Sequence, residues 1–235
     1  MHPTKAFNNL NHRGIYMRIL KLEKSFSENF KALSNELNKL FEKIINYGKV
    51  DLNNNEISKA ILIRLKYYYD HQNAIKELLN KRYASPAADF FVETIAFYLN
   101  MVFKIYKMPL EVYSERQIKR KRGSIRPDIS IWRGDTEVVA IIECKTQLGW
   151  NRHDWKNNFS ERENKLKKEF PNASAFLIVL TSLNWPGFGK DENVGKKYFC
   201  LSNVWPTDIN IDKLEGDLLN PIEPIICDLI KKYKS

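Results

Sequence analysis

The sequence predicts an α/β protein whose core runs helix, three strands, helix, strand, behind an N-terminal helical extension. Three observations predict it. Val138-Val139-Ala140-Ile141-Ile142 and residues 173–181 are apolar on both faces, the mark of strands buried on both sides of a sheet. Residues 150–170 separate them and read as a helix closed by Pro171. Upstream of residue 86 the apolar residues recur by threes and fours, not by twos.

Taken in order, residues 17–47 carry Ile19, Leu22, Phe26, Phe30, Leu33, Leu37, Leu40 and Ile44 on one helical stripe, and Gly48 ends it. Asn53-Asn54-Asn55 marks a loop, and residues 56–81 repeat the pattern through Ile57, Ile61, Leu65, Tyr68, Ile75 and Leu79. Residues 1–85 are therefore expected to form a helical hairpin that packs on the core, meets a partner subunit or touches DNA. A second domain is expected over residues 86–235. Ser85-Pro86 reads as an N-cap followed by Pro at the first helical position, opening a helix to about residue 107. Strands are expected over 110–118, 124–132 and 137–145, with Arg133-Gly134-Asp135 turning between the last two. A Gly-rich loop over 185–195, a strand over 197–204 and a helix over 221–232 complete the chain.

Composition narrows the function. At 235 residues, 43% hydrophobic and 28% charged, the chain is an ordinary globular protein with one good core. No apolar run approaches membrane-spanning length and residues 1–4 lack signal-peptide character, so a cytoplasmic location and no membrane partner are expected. Cys144, Cys200 and Cys227 show no CxxC spacing, against a disulfide framework or zinc knuckle. The net charge is +10, and its excess lies early. Residues 1–85 hold fifteen Lys/Arg against eight Asp/Glu, residues 86–170 sixteen against twelve, and the remainder seven against eight. A polyanion is the partner this favours.

Two charged interruptions stand out in the apolar strands. Asp128 follows Pro127 within one, and Glu143-Cys144-Lys145 closes the next. Alternation puts Glu143 and Lys145 on one side of the sheet and Cys144 on the other. Buried charges cost several kcal/mol unless paired or bound to metal, so such a strand end is either a surface terminus or a site. Two carboxylates offer hard oxygen ligands for Mg²⁺, and a neighbouring Lys can orient water or hold a phosphate. Glu93, within the helix that opens near residue 86, is either at the edge of its packed face or aimed into this site. Arg116, Lys119, Arg120, Lys121, Arg122 and Arg126 crowd eleven residues around Gly123, a hairpin tip placed to contact phosphates. Trp150, Arg152, His153, Asp154 and Trp155 are placed to line a groove or to pack. Gly187-Phe188-Gly189-Lys190 lacks the spacer and following Ser/Thr of a phosphate-binding P-loop.

Pro127-Asp128, fourteen intervening residues and Glu143-Cys144-Lys145 resemble the PD-(D/E)xK nuclease superfamily, and the element order over residues 86–181 agrees. The resemblance implies a restriction-endonuclease-like αβββαβ core with a central mixed sheet. It implies Mg²⁺, with Mn²⁺ as a substitute, on Asp128, Glu143 and the Cys144 carbonyl, a catalytic Lys145, and Glu93 or, one turn earlier, Asp89 as a further carboxylate. Gln147 resembles an extra polar residue of some subfamilies. The expected activity is Mg²⁺-dependent hydrolysis of double-stranded DNA by a homodimeric type II restriction enzyme, with no small-molecule substrate. A repair or other defence nuclease, or a DNA-binding protein that keeps the fold without chemistry, is the alternative.

Overall fold

The computed structural model describes residues 12–148, 154–183 and 188–234, which divide into two compact units meeting between Gly48 and Lys49. The first is one helix, α1 (His12–Tyr47). Its stripe is apolar and open: Leu22, Phe26, Phe30 and Leu33 are each more than half exposed. Among its described side chains none is buried, so within this unit nothing covers the stripe.

The second unit is an α/β body. In order it contains α2 (Glu56–Leu78), α3 (Ala88–Ile105), β1 (Glu111–Ser114), β2 (Ile129–Arg133), β3 (Glu137–Lys145), α4 (Trp155–Glu169), β4 (Ser174–Thr181), β5 (Tyr198–Ser202), the single-turn α5 (Leu214–Asp217) and α6 (Glu223–Tyr233). The strands form one mixed sheet in the order β1-β2-β3-β4-β5. β1, β2 and β3 pair antiparallel, whereas β3–β4 pairs parallel, as the α4 crossover between them requires, and β4–β5 is parallel too. Helix, three strands, helix, strand is the order that the sequence predicts.

β3 lies at the centre, and residues 138–144 are all buried. A register shift against Ile131 and Trp132 puts an extra residue into β3 near Val139, after which alternation is regular. On one face Ile141, Leu177 and Val179 pack with Trp155, Phe159 and Leu166 of α4. α3, with Phe91, Ile95 and Val102 buried, contacts β1 and β3, and α2 contacts α3 and β5.

Tertiary packing moves several predicted boundaries. α2 belongs with the second unit rather than with an N-terminal region ending at residue 85. Its Ser58 is fully buried, and its amide and hydroxyl donate to Glu223 Oε1 and Oε2 at 2.8 and 2.5 Å, while the Ile222 amide donates to Ser58 Oγ at 2.8 Å. This network ties the start of α2 to the start of α6. Ser85-Pro86 does not cap α3, which begins at Ala88 after Ala87. The segment is held against α2 and the turn that follows it: Tyr68 Oη donates to the Pro86 carbonyl, the Ala87 amide donates to Tyr69 Oη, and Lys81 Nζ, beyond the helix end, donates to Ser85 Oγ. β1 stops at Ser114 because Glu115 takes a left-handed conformation (φ 52°) with its amide donating to the Asp128 carbonyl. β2 starts only at Ile129, since Pro127 has no amide to donate and residues 124–126 form the return arm of the basic hairpin. Part of the predicted 150–170 helix and of the 185–195 loop, including Trp150, Arg152, His153 and Trp185, lies outside the described residues. Among the described residues no helix is long and apolar enough to cross a membrane.

Candidate active site

The antiparallel register pairs Ile129 with Ile142, so Asp128, one residue before β2, arrives beside the end of β3. Its Oδ2 accepts two hydrogen bonds, from the Cys144 amide at 2.7 Å and from Lys145 Nζ at 3.3 Å. Glu143 is 3% exposed. Its Oε1 accepts from Arg162 Nη1 at 2.7 Å, an ion pair reaching across from α4. The same Nη1 donates to the Arg126 carbonyl at 3.3 Å, tying the hairpin's return arm to the helix.

Burial pushes the Glu143 carboxyl up to about 7, and the negative charge of Asp128 adds to it. Arg162 and Lys145 pull the other way and do not offset the desolvation. The site thus holds two mutually repelling carboxylates, one of them buried.

Alternation at the end of β3 works as the sequence predicts. Glu143 and Lys145 line a groove of about 790 Å³ on the α4 side, with Arg126, Asn158, Arg162 and Lys165. Cys144 lines a second cavity of about 420 Å³ on the α3 side, with Asp89, Glu93, Glu115 and Asp128. Lys145 lines both. Burial and the Asp128 charge push the Cys144 thiol well up, and of the groups on this residue the carbonyl oxygen is the one that suits a hard cation.

The structure sorts the remaining predicted residues. Glu93 is exposed on α3, not enclosed by its apolar neighbours, and it and Asp89 share the α3-side cavity with Asp128. Gln147 lines that cavity too. Residues 118–125 form the expected hairpin, closed by Ile118–Ile125 and Ser124–Lys121 backbone bonds, with Gly123 at φ +79°. Its basic side chains part company. Arg116 is stacked over Tyr113 and Trp132 at 4.3 and 4.0 Å and lies 3.8 Å from Asp135. Lys119 and Lys121 both bind Glu169 at the end of α4, holding that carboxyl down at about 2. Arg120 and Arg122 are exposed at the tip, and Arg126 alone of the six lines the groove beside Glu143.

Sequence reading missed Arg162 and Lys165. A signal for Arg162 was present: Trp155, Phe159 and Leu166 set the buried stripe of α4 by fours and threes, and Arg162 falls on that stripe. A charge there needs a buried partner, which is Glu143.

Among the described residues no three of His, Cys, Asp and Glu gather into a ready cation cage. The donor set that is present nevertheless fits Mg²⁺, which is held by one or two carboxylates and completes its octahedron with water and substrate phosphate. Asp128 and Glu143 would hold it, and a cation between them would offset the Asp128 repulsion that adds to the effect of burial on Glu143.

No protein-family model matches the chain, and no curated protein matches it. Among solved structures, one described as the native BbvCI A2B2 tetramer at low resolution is similar over 97% of this chain and 95% of that chain, at 13% identity and a TM-score of 0.37. So loose a superposition carries no argument about chemistry.

Proposed function

We propose that the protein is a Mg²⁺-dependent endonuclease of the PD-(D/E)xK type that hydrolyses phosphodiester bonds in double-stranded DNA, in the manner of a sequence-specific type II restriction enzyme. One observation carries the reading: Asp128 and Glu143, fifteen positions apart, are brought within electrostatic reach at the end of the central strand, with Lys145 bonded to one and beside the other.

Each residue has a task there. Asp128 and Glu143 present the anionic oxygens for the metal, which when bound supplies a Lewis acid to the phosphate and an acidified water. Asp128 fixes the Cys144 amide and so orients the neighbouring carbonyl. Lys145, anchored by Asp128 at 3.3 Å, serves as a point charge on a phosphate oxygen or on the attacking water. Arg162 supports the ionised form of Glu143. Asp89 and Glu93 add negative charge to the α3-side wall and raise the local concentration of divalent cation. Cutting both strands calls for two such sites, so the active form is a homodimer, for which the open stripe of α1 is the candidate face.

Digestion of plasmid and genomic DNA with Mg²⁺, followed by sequencing of the ends, tests the reading. Discrete fragments with a shared end sequence are expected. A smear would indicate a nonspecific nuclease, and intact DNA in both Mg²⁺ and Mn²⁺ would remove the enzymatic reading altogether.

A further inference from the structure

The two cavities that meet at Lys145 carry opposite charge. On the α3 side Lys145 faces Asp89, Glu93, Glu115 and Asp128, one cation against four carboxylates. On the α4 side Arg126, Lys145, Arg162 and Lys165 face Glu143 and Glu161, and Glu143 is already paired with Arg162. A phosphodiester backbone brought to Lys145 is repelled along one side and attracted along the other.

We propose that the groove between the 118–125 hairpin and α4 is the track of one DNA strand, and that Arg126 and Lys165 are its phosphate contacts. This rests on the nuclease reading and adds to it the side from which the substrate lies.

The availability of the side chains supports this assignment. Arg126 and Lys165 are both exposed and form no ion pair among the described residues. They sit on opposite walls, one on the hairpin's return arm and one on α4. Arg162 spends only Nη1 on Glu143 and the Arg126 carbonyl, which leaves the N–H groups of Nη2 and Nε to offer a third partner. Lys119 and Lys121 lie in the same basic run but are committed to Glu169, and Arg116 to its two rings. Those three hold the hairpin in place. The run of six basic residues thus divides into hairpin anchors, two tip arginines and one groove residue, with the second groove contact supplied by a helix thirty-nine positions later in the chain.

The test is the salt dependence of duplex binding in EDTA, which withholds the metal from the reaction. A labelled duplex is titrated with the wild-type protein, R126A/K165A and K231A/K232A, the last removing the same charge from α6. Each neutralised phosphate contributes about 0.9 to the slope of log K against log salt, so R126A/K165A is expected to lower the slope by about 2 and to weaken binding roughly tenfold near 0.1 M salt. K231A/K232A is expected to keep the wild-type slope. An unchanged slope in R126A/K165A, or equal losses in both double variants, would overturn the groove assignment. If the wild type cleaves with Mg²⁺ while R126A/K165A binds normally, the track alone fails. If the wild type neither binds nor cleaves duplex, the nuclease reading fails with it.

Discussion

The α4-side groove and the α3-side cavity share a wall and a lysine, yet they carry opposite charge. The groove is mostly cationic and floored by a buried apolar cluster, whereas the cavity is acidic and rimmed by exposed carboxylates. Glu143 opens to the first and Asp128 to the second, with Lys145 between them. The difference teaches how the two-residue alternation of one strand end, with the helix packed on each side, gives two neighbouring faces of opposite net charge.

The largest effect is expected at the shared wall. Replacing Lys145 by Ala is expected to lower Mg²⁺-dependent cleavage by about 10²–10³-fold at saturating metal, the scale for losing one preorganised charge contact. Melting of the metal-free protein should change little, because the side chain is about half exposed; single-turnover rates and a thermal melt separate the two. A smaller effect distinguishes the cavity from the groove. E93Q is expected to weaken apparent Mg²⁺ affinity about tenfold while leaving the saturated rate and the DNA salt slope unchanged, which a metal titration of initial rates measures.

Glu143 makes the stability of the protein depend on pH. Its carboxyl is raised from 4.5 to about 7, so in the metal-free protein the protonated form is favoured by folding. The stability this provides is fully present below about pH 4.5 and is lost as pH rises through about 7, an effect on the order of 3 kcal/mol before other groups are counted. Melts between pH 5 and 8 should therefore fall more steeply in the wild type than in E143Q, and added Mg²⁺ should reduce the difference. R162A leaves Glu143 unpaired. Because Arg162 is itself 41% exposed, the expected loss is about 1–2 kcal/mol at pH 8 and smaller at pH 5, read from denaturant midpoints. The mildest change is E169Q, which releases Lys119 and Lys121: a melting shift of about 1–3 °C is expected, with faster proteolysis at the hairpin tip.

Much of this was legible in the chain. β3 and β4 announce themselves as doubly buried runs, and the two-residue period assigns Glu143 and Lys145 to one side and Cys144 to the other. The Asp128–Glu143 pairing follows from one turn at Gly134, which has φ +59°. What local patterning could not supply was the fate of each charge. Lys119 and Arg126 look alike in a basic run, and only the position of Glu169 separates an anchor from a free side chain. Likewise, Ser85-Pro86 has the composition of a helix start, but Tyr68 and Tyr69 draw that segment onto α2 and α3 begins later. Arg162 was within reach of the pattern, since it breaks an apolar stripe; Lys165, an ordinary exposed lysine on a charged helix, was not.

If the carboxylate pair is the seat of a metal-dependent cut, losing one carboxylate and withdrawing the metal must each stop cleavage. Supercoiled plasmid incubated with wild-type protein and with D128N, each in Mg²⁺ and in EDTA, tests it in one assay. Conversion to nicked and linear forms by the wild type in Mg²⁺ only, with D128N inactive in both buffers, is the predicted result. Equal conversion by D128N, or undiminished wild-type cutting in EDTA, would contradict it.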